Sequence, residues 1–228
     1  MLPCPGGARI VTDFLAYVDQ HSDTIMMQAT QHASLIAQCI LIAAVLGVGI
    51  GLLVFRNETA TALTTGTTSI IFTIPSLAML GLLITPLGLG VAPTVTAIVL
   101  YSLLPILRNT ISGLNSVDPA LVDAAHGIGM GRTRALFRVQ LPLAWPAILA
   151  GLRVSTQLAM GIGAIAAFVN GPGLGQLIFS AQGRLGTVNA PNMALAGTLG
   201  IVVLALLFDL IFVLIGKLTT SRGIRIHA

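Results

Sequence analysis

Apolar residues in this chain gather into five long runs, 34–55, 61–85, 91–111, 146–169 and 194–217. Each is long enough to cross a bilayer as a helix, which takes about 20 residues. A helix is required, because backbone polar groups in lipid must be satisfied within their own segment. The same pattern excludes a β-barrel, which needs short segments of alternating polarity where these runs are continuously apolar. The predicted fold class is all-α integral membrane: a polytopic bundle of five transmembrane helices, or six if the 170–193 segment dips back into the membrane.

The second run is the most polar, with Thr61, Thr64, Thr65, Thr67, Thr68 and Ser69 in its first half. Hydroxyls can bond back to helix carbonyls, so a span survives them on a face packed against protein or lining a path. Pro75 is expected to kink that helix or end a half-helix. Both path-lining and plain packing account for such a helix. Gly47, Gly49 and Gly51 in the first run and Gly161 and Gly163 in the fourth suit close helix approach. Residues 1–33 have no continuous apolar core before a small-residue cleavage site, so no secretory signal is read there. Asp13, Asp19 and Asp23 interrupt the segment, and Phe14, Tyr17 and Val18 fall at helical spacing. A short interfacial helix and an ordinary solvated extension both fit.

Composition sharpens this picture. The 228 residues are 55% hydrophobic and 8% charged, with a mean hydropathy of +0.97. A soluble domain carries about 25% charged residues, so most of this surface faces something other than water. The net charge of +4 does not indicate nucleic acid, because the basic residues are spread over short connections rather than gathered with aromatics. Their placement orients the chain instead. Arg56, Arg108, Arg132, Arg134, Arg138, Arg153, Lys217, Arg222 and Arg225 lie on or beside one set of connections, and only Arg9 and Arg184 on the other. The positive-inside rule then puts the N-terminus outside and the 118–145 connection and C-terminus inside. Cys4 and Cys39 form no framework and read as ordinary residues.

The inner connection carries the chemistry. Asp118-Pro119 is a strong helix start, with a capping side chain followed by proline at the first helical position. Leu121, Ala124, Ala125 and Ile128 give the helix one apolar face before a glycine-rich turn. An amphipathic segment of this kind between membrane spans normally has a partner.

Asp123-Ala124-Ala125, three residues, Gly129, nine residues, then Val139-Gln140-Leu141-Pro142 resembles the EAA loop of bacterial ABC-importer permeases. That pattern is Glu-Ala-Ala, three residues, Gly, nine residues, Ile-x-Leu-Pro. The spacing is kept throughout, with Asp for Glu and Val for Ile. The resemblance implies a coupling helix that seats in a groove on a cytoplasmic ATP-binding subunit. Ala124 and Ala125 would keep that helix slim, and Gly129 would let the chain turn through left-handed angles. Asp123, taken as near the helix start, would suit the positive end of the dipole or pair with a basic group on the ATPase. Pro142 would end the following segment before the membrane.

Other chemistries fail. Gly127-x-Gly129-x-Gly131 lacks the preceding strand and downstream acid of a dinucleotide loop. Lys217, the only lysine, lacks the glycines and the Ser or Thr of a phosphate-binding loop. With no nucleophile elbow and four scattered histidines, the chain reads as a non-catalytic subunit without cofactor or metal. Asp209 stands inside the last span, where a charge is costly and is a functional candidate by default. Arg153 or Arg108 would be its partner in a structural pair. An ion-coupled secondary transporter using Asp209 is the reading from a different class, and a membrane scaffold is a third.

Further stretches, residues 74–84 (IPSLAMLGLLI), 100–109 (LYSLLPILRN), 113–119 (GLNSVDP), 171–179 (GPGLGQLIF) and 218–223 (LTTSRG), are similar to permeases for glycine betaine, carnitine and choline. The similarity covers about residues 30–225. It implies import of quaternary-ammonium osmoprotectants such as glycine betaine, choline, carnitine and proline betaine across a bacterial inner membrane. Implied partners are a cytoplasmic ATP-binding subunit, an extracytoplasmic substrate-binding protein, and a second copy or sister permease. Another small solute such as methionine is the alternative. Quaternary ammonium groups are usually held by aromatic cages. Trp145, Tyr17, Tyr101 and eight phenylalanines make a poor supply, so the cage is expected on the binding protein. The expected layout is an extracytoplasmic segment 1–33, a permease domain 34–217 with its coupling loop at 117–145, and a cytoplasmic tail 218–228.

Overall fold

The structure is a computed structural model that describes residues 7–219. Cys4, Arg222, Arg225, His227 and most of the 218–228 tail lie outside the described residues. Regular structure among the described residues is helical: α1 (Gly7–Gln20), α2 (Ser22–Val54), α3 (Glu58–Thr73), α4 (Ser76–Leu87), α5 (Val91–Asn115), α6 (Pro119–Gly127), α7 (Arg132–Ala135), α8 (Leu141–Ile165), α9 (Gly175–Gln182) and α10 (Ala190–Thr219). A π-helical turn, Leu136–Gln140, joins α7 to α8, and a 3-10 turn, Ala166–Val169, follows α8.

Among the described residues four helical stretches are long and apolar enough to cross a membrane, Ser22–Val54, Val91–Asn115, Arg132–Val169 and Ala190–Thr219, and the pair α3–α4, bent by 97° at its break, counts as a fifth only when taken as one broken span. Four of the five expected spans fall on single helical stretches that extend beyond them at one end or both, and the second, 61–85, falls on the bent pair α3–α4. The first begins at Ser22 rather than 34, because Gln28, Gln31 and His32 end the apolar run without breaking a helix. No sixth crossing arises from 170–193, since α9 has 8 residues, a rise of about 12 Å.

The expected break falls at Pro75. Asn57 caps α3, its side-chain oxygen accepting from the Ala60 N–H at 3.0 Å. Along α3 the hydroxyls donate back to the backbone: Thr64 to the Ala60 carbonyl at 2.7 Å, Thr68 to Thr64 at 2.9 Å and Ser69 to Thr65 at 2.6 Å. Ile74 then takes extended angles, φ −67° and ψ 129°, as a residue ahead of proline must when the ring crowds its backbone.

The chain gathers into two compact units, each discontinuous in sequence. One takes in the described part of Met1–Gln38 with Ser76–Ile98 and Met160–Leu206. Tyr17, Leu174, Leu177, Ala181, Met193 and Ala196 form a buried cluster there, with Phe14 and Ile25 packed against it. The helix foreseen from Phe14, Tyr17 and Val18 therefore exists as α1, and its aromatic face packs on protein.

The other unit comprises Cys39–Pro75, Val99–Ala159 and the described part of Leu207–Ala228. Its helices pack through small residues. A Cβ on Gly151 would lie 2.7 Å from the Asn109 Cβ and 2.9 Å from the Pro105 carbonyl, and one on Gly51 would lie 2.7 Å from Thr110. Gly49 faces open space. The hydrophobic stretch of α10 is unburied, and Val203, Leu206, Leu210 and Leu214 are exposed on it. That surface suits lipid or another membrane helix, not water.

Candidate functional site

The segment from Asp118 to Pro142 lies within the second unit and is shaped by its own sequence. The Asp118 carboxylate accepts from the Ala120 N–H at 2.9 Å, and Pro119 occupies the first turn of α6. The helix ends in two nested bonds. The Gly129 N–H donates to the His126 carbonyl at 2.9 Å, and the Met130 N–H to the Ala125 carbonyl at 3.0 Å. This Schellman pairing needs a left-handed residue between them, and Gly129 supplies it at φ +86°. A Cβ at Gly129 would meet nothing within 4 Å, so the requirement for glycine there lies in the backbone alone. His126 closes the turn, its Nδ1–H donating to the Met130 carbonyl at 2.8 Å.

α6 packs against α7 and the π-helical turn, which brings Asp123-Ala124-Ala125 and Val139 into one structure. Ala125 is buried, whereas Leu121, Asp123, Ala124 and Ile128 are exposed. Ile128 is 76% and Phe137 55% exposed, so the segment presents apolar side chains that the described residues leave uncovered. Arg132, Arg134 and Arg138 flank them, exposed.

Two details differ from expectation. Asp123 is the fifth residue of α6 and lies outside its first turn, so the helix dipole does little for it. Its exposed carboxylate has no intramolecular partner among the described residues. Pro142 does not end the preceding segment; the chain stays helical from Arg132 to Val169. The reason is the π-helical turn. Proline offers no N–H and crowds the carbonyl four residues back, and the widened turn absorbs this, the Leu141 N–H donating to the Leu136 carbonyl. Leu141 and Pro142 thus form the first turn of α8.

Sequence reasoning missed the ties from this segment to its neighbours. Gln140 is buried and accepts from Arg56 Nη2 at 3.4 Å, and the Trp145 indole N–H donates to Thr219 Oγ1 at 2.8 Å. Higher on α8 and α10, Arg153 donates to Asp209 from Nε and, at 2.6 Å, from Nη2, while Gln157 Nε2 donates to the same carboxylate at 3.1 Å. Of the two expected partners for Asp209, Arg153 is the one that pairs. Arg108 instead donates to Ser69 Oγ at 2.9 Å. At the α3 break, the Tyr101 hydroxyl donates to the Ile74 carbonyl, satisfying backbone that Pro75 leaves outside a helix, and Phe72 lies 5.8 Å from the Tyr101 ring.

A family profile described as "binding-protein-dependent transport system inner membrane component" matches residues 40–220. The osmoprotectant import permease protein OsmW of Salmonella typhimurium is 36% identical over 219 residues, 93% of this chain and 100% of that one. The choline transport system permease protein OpuBD of Bacillus subtilis is 36% identical, covering 89% of this chain and 88% of the relative. The glycine betaine/carnitine/choline transport system permease protein OpuCD of the same organism is 34% identical, covering 86% and 84%. Among solved structures, the inward-facing MetNI methionine ABC transporter (native crystal form) aligns at a TM-score of 0.74 and 18% identity, over 86% of this chain and 96% of that one. An amino acid ABC transporter crystallised with histidines aligns at 0.69 and 19% identity, over 92% and 98%.

Proposed function

The chain belongs to the inner-membrane components of binding-protein-dependent transport systems, the non-catalytic permeases of ATP-driven importers, and from that premise we propose that it carries quaternary-ammonium osmoprotectants. The observation that carries the cargo reading is the identity of 34–36% with permeases named for osmoprotectant, choline, and glycine betaine/carnitine/choline transport, each over more than four-fifths of this chain. Fold likeness to a methionine transporter at 18% identity gives no comparable support to that cargo. Asp209, with its carboxylate occupied by Arg153 and Gln157, gives none to ion coupling.

Permeases of this family work with a separate ATPase, a substrate-binding protein and a permease partner. In the reading offered here, the 117–145 connection is cytoplasmic and the N-terminus is outside, as the basic residues indicate. The exposed face of α6, with Asp123, Ala124 and Ile128, enters the ATPase groove. The Gly129 turn and the Val139-Leu141-Pro142 stretch hold that face on the base of α8. ATP-driven closure of the ATPase pair pushes on α6, and α8 passes the movement into the bundle. A second copy or sister permease completes the path, and the broken pair at Pro75 supplies non-helical backbone of the kind found where a path or protein shields it.

The test is uptake of radiolabelled glycine betaine and choline at high osmolarity. The host lacks its own carriers and expresses the chain with its ATPase and binding protein. Uptake that requires the chain is expected. An intact complex with active ATPase that moves neither compound would refute the osmoprotectant cargo while leaving the importer standing.

A further inference from the structure

Among the described residues of the second unit, Arg153 of α8 and Arg108 of α5 stand well inside membrane-length helices, and of these two Arg153 alone has a carboxylate partner. Arg153 is paired with Asp209. Arg108 sits in α5, seven residues before the helix ends at Asn115, or about 10 Å by helical rise. Its neighbour Asn109 packs on Gly151 of α8, two residues from Arg153, so both cations stand at similar depth. By the same rise, that level is about 9 Å beyond Trp145 along α8. Among the described residues no carboxylate lies within salt-bridge reach of Arg108. Its one hydrogen bond goes to Ser69 Oγ.

The surroundings make Arg108 available rather than merely tolerated. Ser69 spends its own proton on the Thr65 carbonyl at 2.6 Å, so its oxygen can hold the guanidinium by one N–H and offers no negative charge. Arginine carries five donors, and most of these stay open on an exposed side chain. Tyr101, two turns earlier on α5, meets Ile74 and Phe72 of the α3 end, while Arg108 meets Ser69, so this face of α5 runs along the hydroxyl-rich helix. A cation inside a span without an anion is costly unless it faces water or receives a ligand. A guanidinium fork is shaped to receive a carboxylate.

We propose that Arg108, held by Ser69, takes the carboxylate of a small zwitterionic cargo during its passage through the membrane. This rests on the osmoprotectant reading and divides that class in two. Glycine betaine and carnitine carry a carboxylate and are accepted. Choline carries only the positive charge and a hydroxyl, and meets Arg108 as a repelling neighbour.

The experiment uses the complete transporter in proteoliposomes with its ATPase and binding protein, comparing ATP-driven uptake of glycine betaine and choline. Arg108→Gln should lower the ratio of betaine to choline uptake by about tenfold, the scale of one charge-assisted hydrogen bond lost. Arg108→Lys should keep part of it. An equal fall for both compounds, or no change in either, overturns the proposal. A second readout does not depend on cargo. With Cys4 and Cys39 replaced by Ser, Ser69→Cys should react faster with a sulfonate-bearing thiol reagent than with a trimethylammonium one, and Arg108→Gln should remove that preference. If wild type moves neither compound, the cargo reading fails and the labelling ratio alone decides the anion site. A ratio indifferent to Arg108 refutes it.

Discussion

The α6 turn and the polar rungs between membrane helices belong to one unit of the protein and are held by opposite means. In the turn, the partners are sequence neighbours: Asp118 with Ala120, His126 with Gly129 and Met130, Ala125 with Met130. In the membrane helices, the side-chain bonds join residues 39 apart at Arg108–Ser69, 52 at Gln157–Asp209, 56 at Arg153–Asp209 and 74 at Trp145–Thr219. A water-facing segment that must keep its shape with little packing relies on caps and glycine. A lipid-facing helix already has its backbone satisfied, so what remains is to pair polar side chains across helices, and of these four rungs one, Arg153–Asp209, is an ion pair.

The largest effect is expected where a long-range pair is broken. Asp209→Asn would leave Arg153 charged inside a span with only amide partners. Folded, extractable complex should fall on the order of tenfold, read by fluorescence-detected size exclusion. The double replacement of Arg153 and Asp209 by leucine should recover much of that yield, because exchanging an ion pair for apolar residues removes the orphaned charge. Wild-type yield of Asp209→Asn with transport abolished would make the rung part of the transport cycle and erase the contrast with the turn.

The same contrast explains what the sequence disclosed. The Asp118-Pro119 start, the Gly129 turn and the Pro75 break are consequences of residues adjacent to one another, so their types and spacing sufficed. The choice between Arg153 and Arg108 as partner of Asp209 depended on which helix faces which, and no local pattern carries that. The π-helical turn at Leu136–Gln140 was also hidden, since it is the answer of a continuous helix to Pro142 and the alternative, a broken helix, fits the same proline. The Trp145–Thr219 and Arg56–Gln140 ties likewise depend on helix packing.

On the proposal that the turn couples to the ATPase, breaking the local side of the comparison should be milder. Gly129→Val forces a β-branched residue to φ +86°, a strain on the order of 1–3 kcal/mol, with no steric clash to disturb the fold. Transport should fall about tenfold while insertion and yield stay as in wild type. Gly129→Asn, which tolerates left-handed angles, should do better than valine. ATPase co-purifying normally with the valine variant would remove the turn from the coupling mechanism.

The smallest expected effect is also the sharpest test of the comparison. Asp118→Ala removes the cap of a nine-residue helix, worth about 1 kcal/mol, or roughly a fivefold change in local opening. Hydrogen exchange at residues 120–124 in nanodiscs should quicken by that factor, with the thermal midpoint of the complex unchanged and Asp118→Asn close to wild type. The isolated loss would fit a segment ordered by its own ends. Unchanged exchange would mean that packing against α7 and the π-helical turn already fixes α6. The turn would then be held as the membrane helices are, by contacts distant in sequence, and Asp118 and Gly129 would shape an element they do not stabilise.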